Sequence, residues 1–592
     1  MCSLYLAGPA FLPPLYAAGT LPTILSPSCL RSEQPQIVLA ALRVLQSISE
    51  ASAPSLQAVL ADTIFANDKL ELFLEILSQP DPTSEIQAQV SLVADLIKNF
   101  CREERHQNAM VNSGILDALA TKLASFAVAA GYVLPNAEIL AKSSGLSDYI
   151  PQPARSDHGL ESVLGAIAAI TADSPFRACK LLFSPSILAV FPNTSYDSNT
   201  YSKASSEIPE LPGLRPTRQM GGDPMDFLLP HIPSHTRGMA HGILPPLSTS
   251  ASKENTLKSR SMSKFHMSSS PWNLQGDNTD TETEEAESPL IPWLIHLVRS
   301  RSGIESVMAA TVLTSLFKAG FAYKSREATL GLLVIPVLLS MLHEAESKAK
   351  DDDVTALTPD GHQRLRLLSE TPNLLASLIT DSEPLQKAAF ESDAAKILCK
   401  LLKGTYDIPL TRATPPPWSP GGNNEESMED IPQECQLGDE EEVPALISRI
   451  KIRGTTLLAI GALATFKEEY RKTIVDQDAI PYIVESLYPS PGRPKQPKEK
   501  KAEALLNESI NDVPPSEYGN NPPLVIGKAC YAIRMLSRSV NILRTSLVDN
   551  MVSVPIFRLL RHADLEVQTA ATATICNLVT NFSPMREVSI SL

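Results

Sequence analysis

The chain has 592 residues, 43% of them hydrophobic and 5% aromatic, and its formal net charge is −15 at pH 7. The excess negative charge lies in two segments without a Lys or Arg, 277–288 and 425–442, which hold six and nine acidic residues. The rest of the chain is electrically balanced, which excludes the overall basic field of a nucleic-acid-binding protein. The eight cysteines form no CxxC pair, which argues against a zinc site and favours a reducing compartment.

The first clear helical unit along the chain lies at 93–123. Its two helices each carry leucine or valine residues on one face, and the turn between them contains Gly114. Glycine adopts a left-handed backbone without steric cost, as such turns require. The N-terminal residues 1–36 are apolar but interrupted by prolines, so we predict an irregular segment there rather than a signal peptide or membrane helix.

The same unit recurs without a gap when Leu378, Leu463 and Leu536 are aligned. Apolar residues stand 3 positions before each leucine and 11, 20 and 24 after it. One turn position differs among these copies: it is Asp393, Asp478 or Met551. The aspartates suit the start of a new helix. Some copies also have a leading helix, at 364–368, 443–452 and 564–567.

A helical unit that recurs at about 40–47 residues is typical of armadillo or HEAT solenoids. We therefore predict an all-α, armadillo-repeat, right-handed superhelical solenoid interrupted by long disordered loops. The predicted organisation is an irregular segment at 1–36, N-terminal repeats at 37–191, a disordered Ser/Pro/acidic linker at 192–288, central repeats at 289–404, a disordered Pro-rich and acidic linker at 405–443, one repeat at 444–489, a disordered linker at 490–523 and C-terminal repeats at 524–592. After 583–587 the last repeat lacks its closing helix, so we expect that the chain is truncated there.

The sequence carries no P-loop, GxGxxG, GxSxG or HExxH motif, so we expect neither an enzyme nor a cofactor. His231, His235 and His241 are close together, but prolines interrupt the helix that would align them and no Cys or carboxylate completes a metal site. The basic cluster at 493–501 has the composition of a nuclear localisation signal, or of a solvated loop.

Several segments resemble one known armadillo family. They are Ile452–Thr455, Gly461–Ala464, Ala529–Ser539, Leu543–Leu547, Glu566–Gln568, Cys576–Val579 and Asn581–Glu587. They are similar to the scaffold subunit of the GID/CTLH ubiquitin ligase, of the vacuolar import and degradation family. The resemblance implies a non-catalytic adaptor in the cytoplasm and nucleus that joins a LisH/CTLH-type core subunit to a substrate receptor for the turnover of gluconeogenic enzymes. It implies protein partners, and no nucleic acid, membrane or small-molecule substrate.

An importin- or catenin-like armadillo protein that binds cargo or signalling peptides is the alternative. Nuclear-import armadillo proteins place an Asn before the anchoring leucine of each repeat. Here that position reads Asp95, Ser377, Ala462, Met535 and Asn577, so only the last copy fits.

The polar residues of the last two repeats are the candidate partner-binding residues: Arg534, Arg538, Asn577 and Asn581. A role as solvated or helix-capping residues is the alternative.

Overall fold

The computed structural model describes residues 19–51, 54–80, 83–131, 141–142, 145–155, 159–192, 287–323, 325–351, 359–407, 444–494, 518–538, 546–547 and 549–579. This part of the chain is helical and contains no β-strand. In chain order the helices are α1 (Thr20–Ile24), α2 (Pro27–Leu30), α3 (Pro35–Ala51), α4 (Pro54–Ile64), α5 (Asn67–Ser78), α6 (Ser84–Phe100), α7 (Glu104–Asn112), α8 (Ile115–Ala129), α9 (Leu160–Thr171), α10 (Pro175–Leu182), α11 (Pro185–Val190), α12 (Leu290–Ser300), α13 (Ile304–Lys318), α14 (Arg326–Leu333), α15 (Ile335–Asp351), α16 (Pro359–Ile379), α17 (Glu383–Glu391), α18 (Ala394–Gly404), α19 (Pro444–Leu463), α20 (Glu468–Asp476), α21 (Ile480–Glu485), α22 (Pro523–Leu536), α23 (Ser553–Leu559) and α24 (Leu565–Val579).

Among the described helices, one set stacks in sequence, each member packing against the next. These ladder helices are α3, α6, α9, α13, α16, α19, α22 and α24. The chain makes further helices between successive members, as α20 and α21 do between α19 and α22. A helical unit that recurs in this way and contacts its neighbours is an armadillo solenoid. The predicted all-α armadillo fold is confirmed.

The leucines that align the repeats form the core of the ladder. They are Leu96, Leu378, Leu463, Leu536 and Leu578, and none is more than 1% exposed. Removing one leucine side chain from water contributes about 1.5–3 kcal/mol, so these positions hold successive repeats together.

A left-handed residue recurs in the turn between the two shorter helices of a repeat. The backbone angle φ is +83° at Gly114, +61° at Asp393, +51° at Asp478 and +56° at Met551. As expected, Asp393 occupies the N-cap position of α18, but its side chain makes no capping hydrogen bond. What repeats at this position is a backbone conformation, which Asp adopts more easily than most residues because its short polar side chain bonds locally.

The predicted leading helices are parts of longer ones. Residues 364–368 lie within α16, which continues to Ile379 with Pro372 inside it. Residues 444–452 form the first turns of α19, and 565–567 begin α24. Each ladder helix is therefore one element where the sequence pattern suggested two.

Folded structure extends into four segments that the sequence assigned to irregular or linker regions, one of them 405–407, where Thr405 and Tyr406 are buried. Helices α1 and α2 lie within 1–36. Glu287 is 3% exposed and accepts hydrogen bonds from Arg326 Nε at 2.7 Å and from the Tyr323 backbone at 3.2 Å. Asn521 is buried and donates to the Tyr488 carbonyl at 2.8 Å. These contacts fix Glu287 and Asn521 next to the helices that follow them.

One described stretch, Arg326–Ser347, is long and apolar enough by length and composition to cross a membrane. It comprises α14 and α15, which pack against α16, α17 and α18. An apolar helix that is part of a packed helical core passes the same test.

Candidate interaction face

The candidate residues of the last repeats lie at the contacts between ladder helices. Arg538 is exposed, and its Nη1 donates to the Thr465 carbonyl, just after α19, at 3.4 Å. Asn577 of α24 donates through Nδ2 to the Arg534 carbonyl of α22 at 3.1 Å. Arg534 is half-buried, and its buried Nε has no hydrogen-bond partner. Asn581 lies outside the described residues.

These contacts give two of the candidates a structural role as well. A cation near the C-terminus of a helix interacts favourably with the helix dipole. Arg538 follows α22 in the chain, and its guanidinium lies beside the C-terminal end of α19. Asn577 ties α24 to α22 by a side chain-to-backbone bond. Partner binding by these residues stays a prediction.

The position before each anchoring leucine forms no continuous polar row. Ala462 is 1% exposed and Met535 4%, so both are covered by the fold. Asp95 and Asn577 are half-buried, and Ser377 is exposed. A peptide that needs an amide from every repeat does not find one here.

Charged side chains instead connect the central ladder helices. This charged network consists of Asp95 and Lys98 on α6, Glu161 on α9, Arg366 and Glu370 on α16, and Lys451 on α19. Arg366 Nη2 lies 2.5 Å from Glu161 Oε1, and Lys451 Nζ lies 2.9 Å from Glu370 Oε1.

Burial changes the proton affinities of this network. Burial raises the pKa of Asp95, although a hydrogen bond with Ser162 and the charge of Lys98 both act to lower it. It lowers the pKa of Lys98, and nearby Arg366 lowers it further. Burial alone would raise the pKa of Glu370, but Lys451 and Lys98 hold it below the usual value. The network is therefore partly withdrawn from water. Its charges interact more strongly than they would at an open surface.

A second polar cluster surrounds Arg453, on α19. The Arg453 side chain is fully buried, and Nη1 donates to Asn521 Oδ1 at 2.6 Å. Nη2 donates to the carbonyls of Thr405 at 3.1 Å and Tyr518 at 3.0 Å. The guanidinium also stacks over the Tyr406 ring, 4.2 Å from its centroid. These five residues form the Arg453 cluster, which joins the end of one repeat to the chain segment entering the next ladder helix.

Polar side chains of the short helices also bond to ladder-helix backbones. Gln107 donates to the Ala169 carbonyl at 2.9 Å and Gln386 to the Ala462 carbonyl at 2.6 Å. Arg471 donates to the Ala464 carbonyl at 2.9 Å. These bonds satisfy carbonyls near the ends of ladder helices, which lack intrahelical partners there.

The described residues bear on two kinds of site chemistry, metal binding and thiol reactivity. They include no group of three His, Cys, Asp or Glu residues placed to hold a metal ion. Burial raises the pKa of Cys101, Cys399 and Cys530 to about 12, so these thiols stay protonated and unreactive near neutral pH. His231, His235 and His241 lie outside the described part of the chain.

Sequence reasoning missed the charged network and the Arg453 cluster. The spacing of Arg366 and Glu370, four residues apart, does place them on one helix face. Their partners lie on other repeats, and only the fold identifies those. Arg453 stood within a segment that carried the family resemblance, but nothing in the sequence marked it as buried.

The chain is similar to a subunit of a named complex. GID complex subunit 5 of Schizosaccharomyces pombe is 30% identical over 302 residues, which cover 50% of this chain and 30% of that protein. Armadillo repeat-containing protein 8 of Danio rerio is 46% identical over 59 residues, 10% of this chain and 9% of that protein. The same protein of Xenopus laevis is 35% identical over 104 residues, 17% and 14% of the two chains. The chain thus spans at most 30% of the length of these curated relatives.

No family model matches the chain. Among solved structures, a designed armadillo repeat protein gives a TM-score of 0.28 at 14% identity, over 49% of this chain and 82% of the design. The curated relatives confirm the resemblance drawn from the sequence, to an armadillo-repeat subunit of the GID complex.

Proposed function

We propose that this chain, an armadillo-repeat relative of GID complex subunit 5, is a non-catalytic scaffold in a GID/CTLH-type E3 ubiquitin ligase. It links a LisH/CTLH-type core subunit to a substrate receptor and thereby supports the degradation of proteins such as gluconeogenic enzymes. It acts in the cytoplasm and nucleus. The similarity to GID complex subunit 5 over half of the chain is the observation that carries this proposal.

The physical character of the described surface supports a scaffold. A solenoid exposes many side chains from successive repeats, and binding energy is then spread over modest contacts with a few hot spots. The described residues offer no metal-binding group, and their buried thiols are unreactive. Such a surface is suited to the recognition of other proteins.

Affinity purification of the tagged full chain tests the proposal. Recovery of CTLH-domain proteins is expected. Leu463→Asp serves as a control, because a carboxylate in place of this fully buried leucine should unfold the local stack and abolish recovery. Recovery of importin-β or cadherin-like tails without CTLH-domain proteins would overturn the proposal in favour of a cargo-binding armadillo protein.

The candidate residues predict where a partner binds. Reversing the charge of Arg534 and Arg538 together (Arg534→Glu with Arg538→Glu) should weaken partner affinity about tenfold or more, as expected for hot-spot arginines. Binding by purified components measures this loss.

The matched control is Lys387→Glu with Lys472→Glu, which reverses two charges on α17 and α20, both exposed. Equal affinities for the two double variants would remove Arg534 and Arg538 from the interface. Thermal unfolding of both variants separates lost binding from lost folding, because Arg538 also contacts the end of α19.

A further inference from the structure

One ion pair joins ladder helices that are not neighbours. Arg366 of α16 meets Glu161 of α9 at 2.5 Å, although α13 packs between these two helices in the ladder. Solenoid repeats ordinarily contact only adjacent repeats, and their stability is close to a sum of nearest-neighbour terms. A contact between second neighbours adds a contribution to stability that this nearest-neighbour sum does not include.

The same face of α16 also reaches forward. Glu370 lies one turn after Arg366 and pairs with Lys451 of α19 at 2.9 Å. Residues four apart project from one side of a helix, so the two pairs share a single stripe of α16. Through this stripe α16 is connected backward across α13 and forward to its own neighbour.

Lys98 extends the network to α6. Its side chain passes over Gly165 of α9, where a Cβ would lie 2.7 Å from Lys98 Cδ and 3.4 Å from Met308 Sδ. The missing side chain of Gly165 therefore leaves the path that Lys98 occupies. Its ammonium group faces the charges of Asp95, Glu161, Arg366 and Glu370. Charges of both signs alternate, so the network largely neutralises itself.

We propose that the charged network is a salt-labile staple that makes the ladder helices α6 to α19 open as one cooperative block. Without the second-neighbour pair, α13 is held by its packing against α9, α16 and the preceding helix α12. With the pair, opening of α13 also separates Arg366 from Glu161.

Hydrogen exchange of the full chain tests the proposal without any partner. The variant Glu161→Gln with Arg366→Gln removes the second-neighbour pair while keeping side-chain size. Amides of α13 should then exchange about 2- to 5-fold faster at low salt, the range that corresponds to measured partly exposed ion pairs.

The matched control is Glu383→Gln with Lys467→Gln. This pair, 3.2 Å apart, joins α17 to the start of α20 and does not cross a ladder helix. Exchange in α13 should not change in the control. At 1 M NaCl, where the Debye length is about 3 Å, wild-type exchange in α13 should rise to that of the first variant, whose own rate should stay constant.

Equal α13 exchange in the wild type and the Glu161→Gln/Arg366→Gln variant at low salt would overturn the proposal, as would an equal rise in the control. If that variant does not fold, the salt dependence of the wild type decides the question. Faster α13 exchange at 1 M NaCl than at low salt supports the staple, and equal exchange at the two salt concentrations contradicts it.

Discussion

Ladder helices are joined by close packing at one junction and by an ion pair at another. At the packed junction, α19 approaches α22 closely enough that a Cβ on Gly461 would lie 2.5 Å from ring atoms of Tyr531 and 3.3 Å from the Ala532 Cα. At the bridged junction, α9 and α16 are connected across α13 by Glu161 and Arg366. The first depends on shape and the second on charge.

The difference determines what each junction responds to. Close packing is lost when a single methyl group is added, and it is indifferent to salt. A partly exposed ion pair contributes little at physiological ionic strength, tolerates changes of shape and weakens as salt is added. The solenoid therefore combines a rigid junction near the segments that resemble the GID subunit with a tunable one in its centre.

The largest expected effect is at Arg453, which anchors the packed side. Arg453→Met should lower the stability of the chain by about 3 kcal/mol, because the buried oxygens of Asn521, Thr405 and Tyr518 lose their donor. Urea unfolding followed by circular dichroism measures the change.

Arg449→Met is the matched control for that variant. Arg449 lies one turn earlier on α19 and makes an exposed contact with the Asp407 carbonyl. It should cost less than about 1 kcal/mol, as exposed polar contacts do. Equal losses in the two variants would show that burial of Arg453 is not what matters.

The next effect distinguishes the two junctions by one methyl group each. Gly461→Ala should destabilise the chain by about 1–3 kcal/mol, because the methyl group meets the Tyr531 ring and the backbone of α22. Gly165→Ala at the bridged junction meets only the flexible side chains of Lys98 and Met308. The methyl group displaces Lys98 from its path over α9, but alanine favours a helix, so the net loss should stay below about 1 kcal/mol.

Thermal unfolding of the two alanine variants measures this contrast. Adding Tyr531→Ala should partly rescue Gly461→Ala by making room for the methyl group. A loss of the same size at both glycines would contradict the distinction between a packed and a bridged junction.

The smallest expected effect concerns pH at the charged network. Because burial raises the pKa of Asp95, its charged form is disfavoured in the folded chain. Its contribution to stability is therefore present at low pH and is lost as pH rises through the folded-state pKa. Asp95→Asn should raise the unfolding temperature at pH 7, and the gain should shrink as pH falls toward the ordinary aspartate pKa of 3.8. An unchanged gain between pH 7 and pH 4 would show that charge is not the cause.

The fold was readable from the sequence because apolar spacing is a local property. Leu463 and Leu536 could be aligned from the residues around them, and both are fully buried. Gly114 likewise predicted a left-handed turn from its residue type alone, and its φ is +83°. Met551 could not be read in this way, since nothing in a methionine signals a left-handed backbone.

The interaction face was less accessible to such reasoning. The network depends on which helices lie two steps apart, and Glu161 and Arg366 are separated by two repeats and a long insertion. Arg538 was predicted as a partner-binding residue, but the structure also places its Nη1 against a carbonyl of the preceding repeat. Pairings across repeats are fixed by the stacking geometry, which no local pattern records.

The Arg453 cluster also sets where two insertions are attached. Thr405 and Tyr406 lie at the end of the described stretch 359–407, and Tyr518 begins the described stretch 518–538, beside the same guanidinium. If a protein bound a motif in one of these insertions, it would be held close to the attachment point of the other. A second binding step would then be intramolecular, with an effective concentration set by chain length rather than by the amount of partner in solution.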